Sequence, residues 1–550
     1  MEKAAINPTN TKTSQRQLPE AWDEETRPPE RAGVSVKIIQ RSLDFLPGAS
    51  TEKNSEVGYC RTPNGSFGAC RIVVAITPPI SAARTHTITL RQQPPAAIQD
   101  IGQMYRLHSM NLSWLALLLF TLPALAVDRD LARFAAAKQS QVRDYAQALT
   151  NKVPSTVWSL FDAVRVDDWE TATNLAARLE KASGRYSDSV TNQSLSPALH
   201  TLIWPPISEV IGAYDQFHNW DNKCLQRFGR AIIDSVPRGS IYFGGTDPGR
   251  FVISALSESQ REGKPFFTLT QNQLADQSYL EYLRKMYGDR LKIPTQDEAE
   301  KAFKEYTADA GRRLKNGTLK PGEDVRMVDN HVQVSGQVGV MEINGLLAKI
   351  ILNKNSGRDF YVEESFPVDW MYPQLSPHGL IFQLHPKPLD SLETAAIQDD
   401  LVYWKKLTGE LIGDWIDDHT TVKELCDFAD KIYRAKNFDG FKGETGFAKN
   451  DDAQKSFSKL RTSIAGLYVW RAEHARDNNE RSQAQKAADL SLRQAFALCP
   501  YSPEAVYRYA KFLNELNRPD DAFLVAKTAL RIAPDEAYLQ QLAHTLSKAD

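Results

Sequence analysis

The 550-residue chain is poor in the features that announce a chemistry. It has five cysteines, and Cys60 and Cys70 precede the strongest apolar run, which leaves Cys224, Cys426 and Cys499, widely spaced and odd in number. That excludes a disulfide framework and a cysteine metal site, and reads as buried thiols with room for at most one bridge in an oxidising compartment. Neither sign of charge dominates: 66 basic against 68 acidic side chains give a net charge of −2. Nucleic acid and anionic lipid therefore have no electrostatic footprint here. The histidines lack metal-ligand spacing, His378 and His385 being seven apart. There is no Gly-x-Ser-x-Gly elbow, Walker A loop or dinucleotide fingerprint. After residue 126 no apolar run approaches the length of a membrane span. No metal and no cofactor are expected.

What is present begins at residues 104–126, MYRLHSMNLSWLALLLFTLPALA. A basic residue, Arg106, precedes the apolar stretch Leu115–Leu122, and Ala124-Leu125-Ala126 follows. This is the layout of a secretory signal peptide cleaved after Ala126. The run is short for a span and is broken by Pro123. Such leaders act near a true N-terminus, so Met104 or Met110 is read as the start and 1–103 as spurious upstream sequence or a disordered arm. That segment is rich in proline pairs and has strand character only at Val73–Ile76 and Thr87–Leu90. The expectation is an exported protein, periplasmic or extracellular, with no membrane span in its mature part.

Three regions follow. Residues 127–236 carry helical periodicity over Arg129–Lys152, Asp168–Tyr186, Ser194–Phe217 and Asp221–Val236, with Pro205-Pro206 kinking or dividing the third. Residues 237–388 alternate: strand Ser240–Phe243, helix Gly249–Glu258, strand Pro265–Thr270, helix Asp276–Tyr287. Long helices over Gln296–Asn316 and Gly339–Asn355 precede strands Asp359–Val362 and Gly379–Leu384. Alternation at this spacing predicts a small parallel-sheet α/β domain. Residues 389–550 are helical again. Ala495–Pro500 recurs as Ala529–Pro534, a 34-residue period that matches the tetratricopeptide (TPR) repeat. The predicted fold class is mixed α/β and α+β, mostly helical, with TPR-like packing over about 466–550.

Candidate site residues follow from that layout. Ligands of an open parallel sheet bind beyond the carboxyl ends of its strands. Gly244, Gly245, Asp247 and Arg250 follow the first strand, Gln271 and Asn272 the second, and Glu363 and Glu364 the third. Asp247 reads equally as a turn and N-cap residue. Trp370, in the proline- and aromatic-rich stretch Phe366–Leu380, suits either a carbohydrate or a packed rigid loop, with packing ahead. On the TPR-like helices Tyr509, Leu513, Ala522 and Ala529 are taken as the protein-binding candidates.

The run FGGTDPGRF (Phe243–Phe251), the strand ending LTQN (Leu269–Asn272) and LADQSYLEYLRKMY (Leu274–Tyr287) resemble the soluble C-terminal region of bacterial protein O-mannosyltransferase-like membrane proteins, whose members often carry TPR repeats. In that family the first strand typically ends in Gly-Asp-Asn-Asp followed by Thr-Phe. Asp247 falls on the first Asp and Phe251 on the Phe, but Gly249 stands where the second Asp would be. The resemblance covers about residues 225–290, and the family's membrane half is absent. It implies an extracytoplasmic ligand- or acceptor-binding module without a transferase engine. Function is therefore read as a non-catalytic module linked to extracytoplasmic glycosylation, holding a protein partner through its TPR-like helices and a glycan or sugar-phosphate at the sheet. The alternative is a glycosyltransferase-like enzyme acting on carbohydrate or glycolipid with Asp247 and Glu363 or Glu364.

Overall fold

In the computed structural model, residues 128–148, 153–182, 197–320, 322–328, 331–363 and 369–547 are described, together with the backbone of 55–61 and 67–73. The expected leader at 104–126, Glu364 and the Phe366–Val368 part of the aromatic stretch lie outside the described residues. Within 1–103 two strands, β1 (Ser55–Arg61) and β2 (Phe67–Val73), pair antiparallel, where the sequence suggested strand character only further along.

The N-terminal helices are α1 (Arg129–Ala148), α2 (Ser155–Arg165), α3 (Trp169–Ala182) and α4 (Pro197–Asn219). Their inward faces carry Leu131, Phe134, Val142, Leu160, Phe161, Ile203 and Ile207, all buried in one core. Asp168 opens α3 as anticipated, its Oδ1 accepting the Thr171 amide at 3.0 Å, a satisfied first-turn donor. The helix α4 runs through Pro205-Pro206 without dividing. The chain then turns at Asp221, whose carboxylate caps α5 (Asn222–Ser235). That helix turns Cys224, Leu225, Phe228 and Ile232 toward the sheet, so it belongs to the α/β core rather than to the helices before it.

The sheet has five strands in the order β4-β3-β7-β9-β8. β3 (Ile241–Gly244) lies parallel to β4 (Phe267–Thr270) and to β7 (Phe360–Val362). These are short, continuously buried strands, as expected where both faces are covered. The expected all-parallel sheet needs correction at its far side. β9 (Ile381–Leu384) runs antiparallel to β7, and β8 (Leu375–His378), absent from the sequence reading, completes a hairpin with it. The Gly379 turn leaves only two residues between β8 and β9, too few for the crossover that parallel pairing requires. A second hairpin, β5 (Asp324–Val328) with β6 (His331–Ser335), rides outside this sheet.

Between the strands lie a π turn (Pro248–Val252) running into α6 (Ile253–Leu256), then α7 (Gln277–Tyr287), α8 (Gln296–Asn316) and α9 (Gly336–Lys354). A full capping box, Thr295 with Glu298, starts α8, and Gly317 at φ 66° ends it.

The C-terminal array comprises α10 (Thr394–Ile412), α11 (Val422–Ala429), α12 (Thr445–Lys449), α13 (Asp451–Glu473), α14 (Asn478–Leu498), α15 (Pro503–Glu515), α16 (Pro519–Ile532) and α17 (Ala537–Ser547). From α13 onward each helix packs on the next. Both α14 and α16 end one residue before the cysteine or alanine that precedes Pro500 and Pro534, the two marks of the 34-residue period.

Sheet and array share one continuous core that reaches from Tyr145 to Leu546. Two buried ion pairs sit at the joints. Lys138 of α1 pairs with Glu209 of α4, and its ammonium also donates to the Tyr282 hydroxyl of α7 at 3.0 Å. Arg461 of α13 pairs with Asp400 of α10 at 2.8 Å, both side chains fully buried. The Tyr468 hydroxyl donates to the same carboxylate, and the guanidinium donates to Gln494 of α14 and lies over the Trp404 ring. Cys224, Cys426 and Cys499 are buried free thiols, and burial pushes them up to about 12, 11 and 12 respectively.

Candidate functional site

The sheet-end site is built on β3 and β7. Because the two strands are parallel and adjacent, the loop after β3 meets the residue after β7. That residue is Glu363, only 1 % exposed. Its own amide donates to the Phe243 carbonyl, continuing the ladder by one residue. Its carboxylate turns into the Gly245–Arg250 loop. There Oε2 accepts the Gly245 and Thr246 amides at 2.7 and 2.8 Å, and Oε1 accepts the Thr246 hydroxyl. Thr246 Oγ1 in turn accepts the Gly249 amide at 3.0 Å. Burial holds Glu363 above the ordinary carboxylate range, although these donors and the charge of Lys459 pull the other way.

The loop closes on itself as well. The Tyr242 hydroxyl donates to the Gly249 carbonyl at 2.9 Å. A Cβ on Gly249 would fall 1.8 Å from the Glu363 carboxyl carbon, and one on Gly244 would fall 2.8 Å from the Gly249 carbonyl oxygen. Backbone and carboxylate thus fill the space that small residues were expected to leave for a ligand.

The sequence-derived candidates part company at this point. Gly244, Gly245 and Glu363 come together, but as a mutually satisfied knot. Asp247 does not cap the following turn. Its Oδ1 accepts from Arg250 Nε at 3.0 Å and also from Arg250 Nη2, and Arg250 lies over the Phe251 ring. The Asp247 carboxylate is therefore engaged in an i,i+3 ion pair. Gln271 is buried, and Asn272 donates to the Gly245 carbonyl at 3.3 Å. Trp370 sits under Lys349 of α9, with its indole nitrogen buried and unbonded.

Other groups of the aromatic stretch are used in packing. Tyr372 stacks on Trp470 of α13, His378 Nε2 contacts the Ser235 carbonyl at 2.8 Å, and Arg471 donates to the Pro373 carbonyl at 2.9 Å. The Tyr372 and Arg471 contacts clamp the sheet's hairpin side to the helical array, and the His378 contact ties it to α5. Among the described residues no cluster of three or more His, Cys, Asp or Glu is arranged to hold a metal ion.

The array offers a different surface. Tyr509, Leu513, Ala522 and Ala529 are all fully buried, so they hold the helices together and present nothing to a partner. Their 34-residue pattern is a packing pattern: large residues on α15 meet alanines on α16, which lets the helices approach closely. The accessible face lies around the other side of α15. A groove of about 420 Å³ runs between α13, α15 and α17, lined by Val469, Tyr507, Phe512 and Tyr538. Tyr507 and Tyr538 meet edge to face, 6.1 Å between ring centroids. Along one rim Arg508 pairs with Glu504 at 3.0 Å and Lys511 with Glu515 at 3.6 Å, so the groove bears both signs in balance.

The sequence reading missed these residues. The available signal was a helix apolar on two faces: Val506, Tyr509, Ala510 and Leu513 point inward while Tyr507 remains half-exposed on the other.

No family model, no curated protein and no solved structure matches the chain.

Proposed function

We propose that the protein is a non-catalytic interaction module that holds a segment of a protein partner in the groove between α13, α15 and α17. The observation that carries this reading is the groove itself. It is concave and aromatic, and it stands on the first helix of each successive pair, the geometry by which stacked helical hairpins receive extended or helical peptides. Its chemistry favours a segment with one large apolar anchor flanked by charges of both signs. Tyrosine side chains give much contact area for little lost rotamer freedom, which suits them as anchors. Export through the leader at 104–126 and a place in extracytoplasmic glycosylation are part of the same proposal, supported only by the leader pattern and the sequence resemblance. An enzyme working through Asp247 and Glu363 is disfavoured, since Arg250 occupies the first carboxylate and the Gly245–Thr246 backbone the second.

The test is selection of displayed peptides on the purified full chain, followed by affinity measurement with Tyr507→Ala. Loss of an aromatic hot spot costs about 2 kcal/mol, roughly thirtyfold in Kd, with the melting temperature unchanged. Peptides that bind wild type and variant equally, or no selection at all, would refute the groove as the working surface.

A further inference from the structure

The outermost strand of the sheet, β8, is closed off by one arginine. Just before that strand the Gln374 carbonyl turns inward and accepts the His385 amide, and the Gln374 Nε2 donates back to the His385 carbonyl, both at 2.9 Å. The carbonyls on either side, Pro373 and Leu375, accept from Arg471 Nη2 of α13 at 2.9 and 3.4 Å. Arg471 Nη1 donates to the Leu389 carbonyl at 3.1 Å. Arg471 is 5 % exposed, and its guanidinium lies over the Trp470 ring. Its hydrogen bonds go to neutral carbonyls, so none of them cancels its charge. Glu480, the acid that acts on it, is paired with Arg476. A second cation close to such a group is costly, because burial weakens the screening between them.

His385 belongs to this arrangement. Its ring is half-buried, with Nε2 2.8 Å from the Ser376 hydroxyl of β8. Two charged groups act on the ring: Arg471 from α13, and Asp359, which stands opposite His385 one pair beyond Phe360 and Leu384. Burial and then Arg471 disfavour the charged ring, and the exposed Asp359 opposes them without prevailing. We propose that the joint between the β8–β9 hairpin and α13 is an acid-operated latch: a proton taken up by His385 sets a second positive charge beside the buried Arg471 guanidinium and loosens the 371–376 and 385–389 segments from the helix. The direction follows from linkage. His385 is held below its free value of 6.5, so between the lowered value and 6.5 the undocked chain binds a proton that the docked chain does not. The latch is closed above 6.5 and loosens as pH falls below it. The far end of the hairpin stays held, by Trp404 Nε1 on the Gly379 carbonyl at 3.1 Å and by His378 on the Ser235 carbonyl at 2.8 Å, so the loosening is local. Val469, next to Trp470 on α13, lines the groove. Any consequence for peptide binding rests on the groove reading, whereas the latch does not.

Hydrogen exchange on the full chain reads this joint without any peptide, so a failed latch and a failed groove are told apart. Protection of 371–389 and 464–474 is compared at about pH 7.5 and about pH 5, after correction for the intrinsic pH dependence of exchange. Linkage allows at most about tenfold per pH unit below 6.5, so protection should fall about three- to thirtyfold at about pH 5, with 241–252 unchanged. His385→Gln keeps a neutral partner for Ser376 and should hold its protection at both pH values. Asp359→Asn, at an exposed position, removes the charge that favours the protonated ring and should move the loosening to lower pH. His474→Gln removes the exposed ring stacked on Trp470 and should respond as wild type does. The latch is overturned by equal corrected protection at both pH values in wild type, by a loss that persists in His385→Gln, or by a loss that disappears in His474→Gln. It is equally overturned if Asp359→Asn shifts the loosening upward or not at all, or if 241–252 loses as much protection as the joint.

Discussion

If Glu363 is the internal closure of the β3 loop, then adding one carbon at Gly249 must break that closure. The Cβ of Gly249→Ala would lie 1.8 Å from the carboxyl carbon of Glu363 and 1.9 and 2.0 Å from its oxygens. Ordinary contact requires a retreat of more than about 1 Å. The carboxylate has nowhere to go, since it is 1 % exposed and held by two amides and a hydroxyl. Overpacking of this kind costs about 1–3 kcal/mol, and each buried amide left without its acceptor about 1–3 more. Part of the strain relaxes, so about 3 kcal/mol is expected for Gly249→Ala. Glu363→Ala should cost about 2–3 kcal/mol by orphaning the Gly245 and Thr246 amides. The double variant has the methyl but nothing to collide with, so it should cost no more than Glu363→Ala alone, a coupling of about 3 kcal/mol. Hydrogen exchange of the 241–252 segment reads the effect locally, which matters in a chain with two cores where one global transition need not report on this loop. Additive single-variant costs, or Gly249→Ala exchange within a factor of about two of wild type, would refute the closure argument.

Two further perturbations test the joints between regions. Asp400→Asn leaves the Arg461 charge buried without its counter-ion and should lower stability by about 3–5 kcal/mol in urea melts, whereas Asp400→Leu with Arg461→Met leaves no buried charge and should cost less, about 1–3 kcal/mol for the Tyr468 hydroxyl and Gln494 oxygen left without partners; a loss under about 1 kcal/mol in Asp400→Asn would show that the pair is not desolvated. Burial lowers Lys138 below its free value against the pull of Glu209, with Arg261 adding to the lowering and the Tyr282 hydroxyl also facing the ammonium. Between that lowered folded value and 10.5 the unfolded chain binds a proton the folded chain does not, so this group's contribution to stability rises with pH. Tyr145 and Tyr282, both raised, titrate the opposite way but are present in either chain. Wild-type stability minus that of Lys138→Met/Glu209→Gln should therefore increase from about pH 7 to about pH 9.5, and a flat or falling difference would overturn the assignment.

Much of the fold was legible because its elements are locally consistent. SIYF and PFFTLT are short β-prone runs rich in aromatic and branched residues, and each became a covered parallel strand. The Gln296–Asn316 helix is marked at its start by Thr295 and Glu298 and at its end by Gly317. What escaped notice was written in weaker signals. β8 reads Leu-Ser-Pro-His, and its proline argues against a strand, yet β8 is the outermost strand of the sheet, where a proline is tolerated. The strands of the β5–β6 hairpin carry alternating residues, a recognisable pattern hidden between two long helices. The site was less legible than the fold. Glu363 looked available because its partners Gly245 and Thr246 are more than a hundred residues away in sequence and adjacent only through the parallel register of β3 and β7. Tyr509 and Ala529 looked like a surface because a repeat pattern records which residues pack, not which face is left over.

The same contrast bears on how the two halves divide the work. At the sheet end almost every polar group near β3 is spent on another part of the chain: Glu363 on the loop backbone, Asp247 on Arg250, Tyr242 on Gly249. Around the array the opposite holds. The buried Arg461–Asp400 pair and the Tyr372–Trp470 stack fix α10, α13 and the β8 side of the sheet as one unit, while α15 and α17 leave tyrosines half-exposed above it. Rigid support beneath with aromatic area left open above lowers the ordering cost of holding a peptide, because little has to move when it arrives. On the proposed reading, the α/β part would be the platform against which the array is braced, and the groove the surface that holds the partner segment.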